Sequence, residues 1–311
     1  MREVARRLGL PSQAVHTLTV AGTNGKGSSS VLASEIYGAA GYRVGTYTSP
    51  HLLRYHERIA VDGVAATDAE LVRAFAAVEA ARAAVPLTYF EFGTLAALWH
   101  FRECHVQVQV LEVGLGGRLD AVNLVDADCA LITSIGLDHQ DLLGTGRERI
   151  GFEKAGVLRA NRPAVCADPD PPASIAAHAK ALGAPLWQLG RDFAFTATAD
   201  FWHWQGGDRT YRKLPPPALA GEAQLRNAAG VIAAVTRLQP LLPVPETAIR
   251  AGLRRLHLRG RFERRGNLIF DVAHNVEAAQ VLADNLAAAR VGRIHVVLGM
   301  LSDKPVEGFC A

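Results

Sequence analysis

Residues 20–30 read VAGTNGKGSSS and continue the apolar stretch HTLTV. A glycine-rich turn between a buried strand and a helix gathers backbone N–H groups and the positive end of the helix dipole, an arrangement suited to phosphate. The spacing is not that of a Walker A loop, G-x-x-x-x-G-K-[ST]. Val20 stands where its first glycine belongs, and Gly27 where Ser or Thr belongs. The residues leave open a damaged loop, a solvated glycine turn, or a nucleotide loop with its own spacing. The flanking strand and helix patterns favour phosphate binding. Gly25 and Gly27 let the backbone approach the phosphates, Lys26 reaches the β- and γ-oxygens, and Ser28 donates to phosphate or approaches a metal.

The 311 residues are 49% hydrophobic and 20% charged, which suits a globular protein of about two domains. A formal charge of +3 without a long Lys/Arg run gives no electrostatic footprint for nucleic acid. The start, MREVARRLGL, has no long apolar core and does not read as a signal peptide. No apolar run approaches ~18 residues, so no membrane span is expected. Cys104, Cys129, Cys166 and Cys310 form no C-x-x-C pair. Reduced, mostly buried thiols in a cytoplasmic protein are expected.

Strand and helix patterns alternate. Strands are expected over 16–22, 43–48, 106–113, 129–135, 163–167 and 185–189. Helices are expected over 26–40, from the capping box at Thr67 and Glu70 to Arg82, over 92–101, and over 172–182. This order implies a mostly parallel sheet with helices on both faces. Over 192–214 the period becomes alternating around Gly206-Gly207-Asp208, the signature of a hairpin or small meander. Its aromatics Phe193, Phe195, Trp202 and Trp204 read as packing residues. Helices over 222–237 and 246–256 follow. A second unit starts near Arg261, with parallel strands at 267–272 and 293–298 around a helix at 276–289. The roughly 50 residues left for it are fewer than a free-standing domain usually needs.

Several strand ends carry chemistry. Thr48 and Ser49 offer hydroxyls there, where open α/β sheets bind ligands, though a Ser-Pro loop is commonly only a loop. Glu112 interrupts a run of valines and leucine, and a buried carboxylate needs a cation or several donors. An ion pair with an arginine is the plainer alternative. Arg118 and Asp120 add charge beside the glycines that follow. Asp138 and His139 end another strand and could hold a divalent ion with neighbouring groups. Glu153 and Lys154 lie at a helix end, where a lone lysine would ordinarily be at the surface. Arg261, Asp271 and His274 surround a later strand end and suit phosphate, ribose or a cation.

Taken in order, AGTNGKGS, TSPHLLRYHERI, YFEFGTLAALW, LEVGLGGRLDAVN, TSIGLDHQDLLG, EKAG, QLRNAAG, LRGRFE and FDVAHN resemble the dihydrofolate synthase/folylpolyglutamate synthase branch of the Mur ligase superfamily, especially its bacterial bifunctional members. The resemblance runs through nearly the whole chain, and the family's own loop reads G-T-N-G-K-G-S. It implies an α/β fold: a Mur ligase-like P-loop ATPase domain over 1–258, with a mostly parallel sheet and a small β-meander, followed by an incomplete Rossmann-like C-terminal domain over 259–311. It also implies that Thr23, Asn24, Gly25, Lys26, Gly27 and Ser28 bind ATP phosphates, with Asn227, Arg261 and Asp271 as further ATP contacts. Ser49, Glu112 and His139 match Mg2+ ligands. Lys26, Lys154 and His274 match catalytic positions, and Lys154 is the lysine that this superfamily often carries as a carbamate. Thr88, Tyr89, Phe90, Glu91, Leu119, Asp120 and Ala121 match pteroate-binding segments. Val122, Gly136 and Gln140 depart from the pattern without removing a ligand.

The activity implied is ATP-dependent ligation of L-glutamate to dihydropteroate and to folates through an acyl phosphate, by a cytoplasmic monomer that binds neither nucleic acid nor membrane. The family's second domain continues beyond GMLSDK, and its first helix begins before Met1. A chain ending at residue 311 is therefore expected to be impaired. Other readings fit parts of the pattern: a Mur-type ligase for a cell-wall precursor, a nucleotide-binding module without catalysis, or a P-loop phosphotransferase.

Overall fold

The computed structural model describes residues 1–11, 14–289, 292–301 and 306–310. Helix α1 (Arg2–Arg7) precedes strand β1 (His16–Ala21), helix α2 (Lys26–Ala39) and β2 (Val44–Tyr47). Then come β3 (Ile59–Val61), β4 (Val64–Ala65), α3 (Asp68–Arg82), α4 (Tyr89–Glu103), β5 (Val108–Glu112) and β6 (Cys129–Ile132). Next are α5 (Gln140–Leu143), α6 (Arg147–Ala155), β7 (Ala164–Cys166), α7 (Ala173–Leu182) and β8 (Leu186–Gln188).

These strands form one 8-stranded sheet in the order β4-β3-β2-β5-β1-β6-β7-β8. From β2 to β8 all pairings are parallel; β3 and β4 add an antiparallel edge. That edge was not expected, because its strands are short and follow a loop rich in charge. Apolar residues along the central strands serve opposite faces. Val108 and Val110 join one core with Leu32 and Ile36 of α2, whereas Leu111 and Val113 join the other with Leu95 of α4 and Ile150 of α6. Burial on both faces explains why the parallel strands read as apolar runs.

The period change is a three-stranded antiparallel meander of β9 (Phe193–Ala197), β10 (Trp202–Gly206) and β11 (Arg209–Leu214). Trp202 and Trp204 are fully buried and Phe193 is buried. The indole N–H groups are satisfied: Trp202 donates to Pro215 O at 2.8 Å, and Trp204 to Ala229 O at 3.1 Å. Ala229 lies on α8 (Glu222–Leu238), which packs over the sheet with α9 (Glu246–Arg255).

The remaining segment corrects the expected parallel pair. Strand β12 (Glu263–Arg265) pairs antiparallel with β13 (Leu268–Phe270) through a turn at Gly266, whose φ is +59°. Helices α10 (Val276–Ala288) and α11 (Val306–Cys310) follow. Residues 293–298 form no strand: no described strand runs beside them, and Val296 and Val297 are exposed. β-Propensity alone does not make a strand without an edge to pair with. The cysteines are free, with Cys129 and Cys166 buried, Cys104 half-buried and Cys310 exposed. No helix among the described residues is long and apolar enough to cross a membrane.

Trp204 joins the meander to α8 with both its area and its N–H. Trp204→Ala is expected to destabilise the protein by about 3–5 kcal/mol, measured by urea unfolding. A loss below about 1 kcal/mol would mean that the meander is not part of the cooperative core.

Candidate functional site

Strand β1 lies between β5 and β6, and the loop after it opens into the crevice at the strands' C-terminal ends, the usual ligand position in such sheets. The turn depends on two glycines. Gly22 has φ +150° and a Cβ there would lie 1.9 Å from Thr133 Oγ1; Gly25 has φ +86° and a Cβ there would lie 2.3 Å from Asn227 Oδ1. The loop is fastened to the end of β6. Thr23 N donates to Ser134 O at 2.6 Å, Gly136 N donates to Thr23 Oγ1 at 2.9 Å, and Thr133 Oγ1 donates to Asn24 O at 2.6 Å. Gly25 caps α2 without a side-chain hydrogen bond, which leaves the first-turn amides to a ligand. Ser28 is buried in that turn and its Oγ has no partner.

Two lysines converge on one carbonyl. Lys26 Nζ donates to Gly22 O at 3.0 Å and to Thr23 O at 2.9 Å. Lys154 Nζ, delivered by α6, donates to the same Gly22 O at 2.8 Å. Burial pulls both below the ordinary lysine range. For Lys154, burial and then the charge of Lys26 bring the pKa down to about 7.

Register places the acid opposite them, since Val20 of β1 pairs with Glu112 of β5. Glu112 is 3% exposed and accepts from Ser49 N at 2.9 Å. Burial raises its carboxyl above the usual range, against the pull of Lys26. Asp120 is likewise raised by burial, while Leu115 N and Val122 N donate to it at 2.9 and 3.0 Å. From the C-terminal segment, Asp271 accepts from Phe262 N and Ala273 N, each at 2.8 Å. Burial lowers the pKa of Arg261. His274 Nε2 and His139 Nε2 stand 3.6 and 3.7 Å from Asp138 Oδ2.

All these groups line one cleft of about 790 Å³, together with Asn227. Ser49, Glu112 and His139 share it too, although no group of three or more His, Cys, Asp or Glu among the described residues stands at metal-binding spacing. The donor chemistry fits a hard divalent ion in combination with phosphate. The unpartnered Ser28 Oγ and the buried Glu112 carboxylate supply oxygen donors.

The expected pteroate segments separate. Phe90 and Asp120 line the cleft, with the Phe90 ring 5.8 Å from that of Tyr47. Thr88 and Glu91 form the capping box of α4, with Thr88 N donating to Glu91 Oε2 at 2.8 Å and Glu91 N to Thr88 Oγ1 at 3.2 Å. Thr88 and Tyr89 line a second cavity of about 420 Å³, among Tyr55, Phe75 and Phe92. Leu119 is 80% exposed, and Ala121 is buried in a short 3-10 turn; neither lines the cleft.

Other cleft residues escaped sequence reasoning. Asp168 is buried, accepts from Ile135 N at 2.6 Å, and pairs with Arg147 at 3.3 Å. Beside the cleft, Asn275 exchanges amide hydrogen bonds of 3.2 and 3.0 Å with Asn24, the loop residue already named from the sequence. Glu277 accepts from Leu137 N at 3.1 Å. Asn275 also caps α10 by accepting from Ala278 N, and an Asn before an apolar helical pattern is a readable cap signal. Arg58 lines the cleft as well; its one signal is a charge placed directly before the apolar Ile59.

No protein-family model matches the sequence. The dihydrofolate synthase/folylpolyglutamate synthase of Escherichia coli K12 is 45% identical over 312 residues, covering 99% of this chain and 72% of the relative. Among solved structures, E. coli FolC in complex with DHPP and ADP superposes with a TM-score of 0.95 at 45% identity, covering 99% of this chain and 74% of that one. A bifunctional folylpolyglutamate synthase/dihydrofolate synthase with Mn, AMPPNP and L-glutamate bound gives 0.93 at 48% identity, covering 99% and 75%.

The turn can be tested without a ligand. Gly25→Ala is expected to cost about 1–2 kcal/mol for the left-handed backbone, plus the overlap with Asn227. In urea unfolding, Gly25→Ala/Asn227→Ala should be less destabilised than the sum of the single variants. Strict additivity would show that the two residues do not meet.

Proposed function

The chain belongs to the dihydrofolate synthase/folylpolyglutamate synthase family, and from that premise we propose that its cleft joins L-glutamate to dihydropteroate and to folates in an ATP-dependent ligation. The observation that carries this reading is the meeting of the Gly22–Gly25 turn, Lys26, Lys154 and Glu112 in one buried crevice. The relatives' structures hold ADP or AMPPNP, and one holds Mn and L-glutamate.

The amides of residues 25–28 and Lys26 bind the β- and γ-phosphates, Thr23 and Asn24 hold the turn through their amide bonds to Ser134, and Asn227, Arg261, Asp271 and His274 contact the nucleotide from the other wall. Ser49, Glu112 and His139 would hold a divalent ion, Mg2+ in this reading, which would supply charge neutralisation on the phosphates. A carboxylate oxygen of the acid bonds to the γ-phosphorus as the bond to the bridging oxygen breaks, giving an acyl phosphate and ADP. The neutral α-amine of glutamate then attacks the acyl carbon and loses its proton, and phosphate leaves. The chain's part is to align the phosphates and the acid, spread the transferred charge, and exclude water from the acyl phosphate. Phe90 and Asp120 contact the acid, and Thr88 and Tyr89 line the neighbouring aromatic cavity that its body approaches.

Lys154 serves as a carbamate in this proposal. An amine lowered to about 7 is substantially neutral near physiological pH, and only the neutral amine adds to CO2. The carbamate replaces a cation repelled by Lys26 with oxygen donors beside the phosphates. Residues 1–258 form the ATP- and acid-binding unit, and residues 259–311 belong to the glutamate-ligase unit. The protein works as a cytoplasmic monomer on small molecules.

With ATP, Mg2+ and dihydropteroate, the protein is expected to release ADP in a glutamate-dependent manner; ADP release indifferent to glutamate would sink the ligase reading. Incubation with 13C-bicarbonate should give a carbamate NMR signal that grows as pH rises through about 7, because deprotonation supplies the nucleophile. The signal should vanish in Lys154→Arg. Its absence from the unsubstituted protein would remove the carbamate from the mechanism.

A further inference from the structure

We propose that Arg58 receives the carboxylate of the acid that is to be ligated, a specific assignment that rests on the ligase reading above. Arg58 ends the short 3-10 turn Tyr55–Arg58 directly before β3, and it is only 8% exposed. A buried guanidinium ordinarily needs an anion. Even more exposed arginines pair with carboxylates here: Arg118, Arg147 and Arg159 meet Glu153, Asp168 and Asp126. The contacts of Arg58 are neutral instead. Its Nε donates to His51 Nδ1 at 2.8 Å, and its guanidinium carbon lies 5.6 Å from the Tyr55 ring centroid and 5.5 Å from that of Tyr89.

This frame orients the group without neutralising it. The imidazole accepts at Nδ1 and engages Nε, so the terminal N–H groups are left to form the two-pronged contact that guanidinium makes with a carboxylate. The tyrosine rings hold the plane. An Asp in place of His51 would fix the same geometry but compete with an incoming anion.

Position selects which anion. Arg58 lines the 790 Å³ cleft beside Ser49, Phe90 and Glu112. Tyr55 and Tyr89, which flank it, line the 420 Å³ aromatic cavity. Arg58 thus stands in the wall between the phosphate end and an apolar, aromatic compartment. Its charge acts on Glu112 as a small pull against the burial that raises that carboxyl. The phosphates have their own loop and lysine on β1 and α2. Arg58 arrives from the connection between β2 and β3, the direction from which an acid with an aromatic body would present its carboxylate to the γ-phosphate.

The test compares dihydropteroate with its carboxamide, which keeps the aromatic body and loses the charge. Affinities are measured by calorimetry with ADP present, for the unsubstituted protein and for Arg58→Met, Arg58→Lys and His51→Ala. The unsubstituted protein should prefer the acid by roughly 10- to 100-fold. Arg58→Met should abolish that preference while leaving carboxamide and ADP affinities within about twofold. Arg58→Lys, which keeps the charge without the fork, should restore part of it, and His51→Ala should weaken it. An undiminished preference in Arg58→Met would overturn the assignment. If Arg58→Met does not fold, an undiminished preference in Arg58→Lys would overturn it equally. If the unsubstituted protein binds ADP but neither acid nor carboxamide, the ligase reading fails and takes this assignment with it.

Discussion

The carbonyl of Gly22 accepts hydrogen bonds from two buried lysines, and the rest of the site is arranged around the repulsion this creates. Lys26 and Lys154 reach it at 3.0 and 2.8 Å. Two ammonium groups this close in a poorly solvated crevice repel strongly, and the charge of Lys26 is among the causes that depress Lys154. Strand register supplies the first counter-charge by setting Glu112 beside Val20. The glycine turn is what aims the carbonyl at both lysines, and at Gly22 the side chain of Thr133 leaves no room for a Cβ. Asp138 and Asp120 add to the negative charge that acts on Lys26. A triphosphate at the start of α2 would bring further negative charge and oxygens to which the first-turn amides and Ser28 Oγ can donate.

The same loop is the surface on which the C-terminal segment rests. Asn275, 1% exposed, exchanges hydrogen bonds with Asn24 while capping α10. Glu277, the second residue of that helix, takes the amide of Leu137. A change in the conformation of residues 22–25 is therefore felt directly at the start of α10. The proposed reaction gains from this coupling, because an acyl phosphate survives only where water is kept out, and the group that closes the cleft touches the loop that holds the phosphate.

Local signals were legible where one segment determines its own environment. Glu112 among valines could only be a paired or ligand-seeking acid, and it is buried at a strand end. The alternation after residue 192 became a meander because its period and its Gly206-Gly207 turn agree. The capping box at Thr88 and Glu91 shows the opposite case: residues matched to a substrate segment are occupied in starting a helix, and only Phe90 of that stretch lines the cleft. Long-range pairs were not legible. Asn24 and Asn275 are 251 positions apart, and Arg147 meets Asp168 only because α6 and the end of β7 converge. The strands at Glu263–Arg265 and Ile59–Val61 were hidden by charge and brevity. The apolar run at 293–298 misled because propensity describes a residue's preference and not the presence of a neighbouring edge.

Burial acts differently on the two kinds of cation in this cleft, and the difference assigns their work. A lysine can yield its proton, and Lys154 is pulled to a pKa of about 7, where it becomes a nucleophile. A guanidinium does not yield its proton under such conditions, so a buried arginine remains a demand for an anion. Arg118 and Arg147, both more exposed, pair with carboxylates of the chain itself, Glu153 and Asp168. Arg58 is held by an imidazole and two phenol rings, which steer the group without an ion pair, while its charge also acts on Glu112. A fold that pairs its more exposed Arg118 and Arg147 internally, yet gives the buried Arg58 only neutral direct partners at the edge of the reaction cleft, leaves that group for a charge that arrives with the substrate, as proposed above.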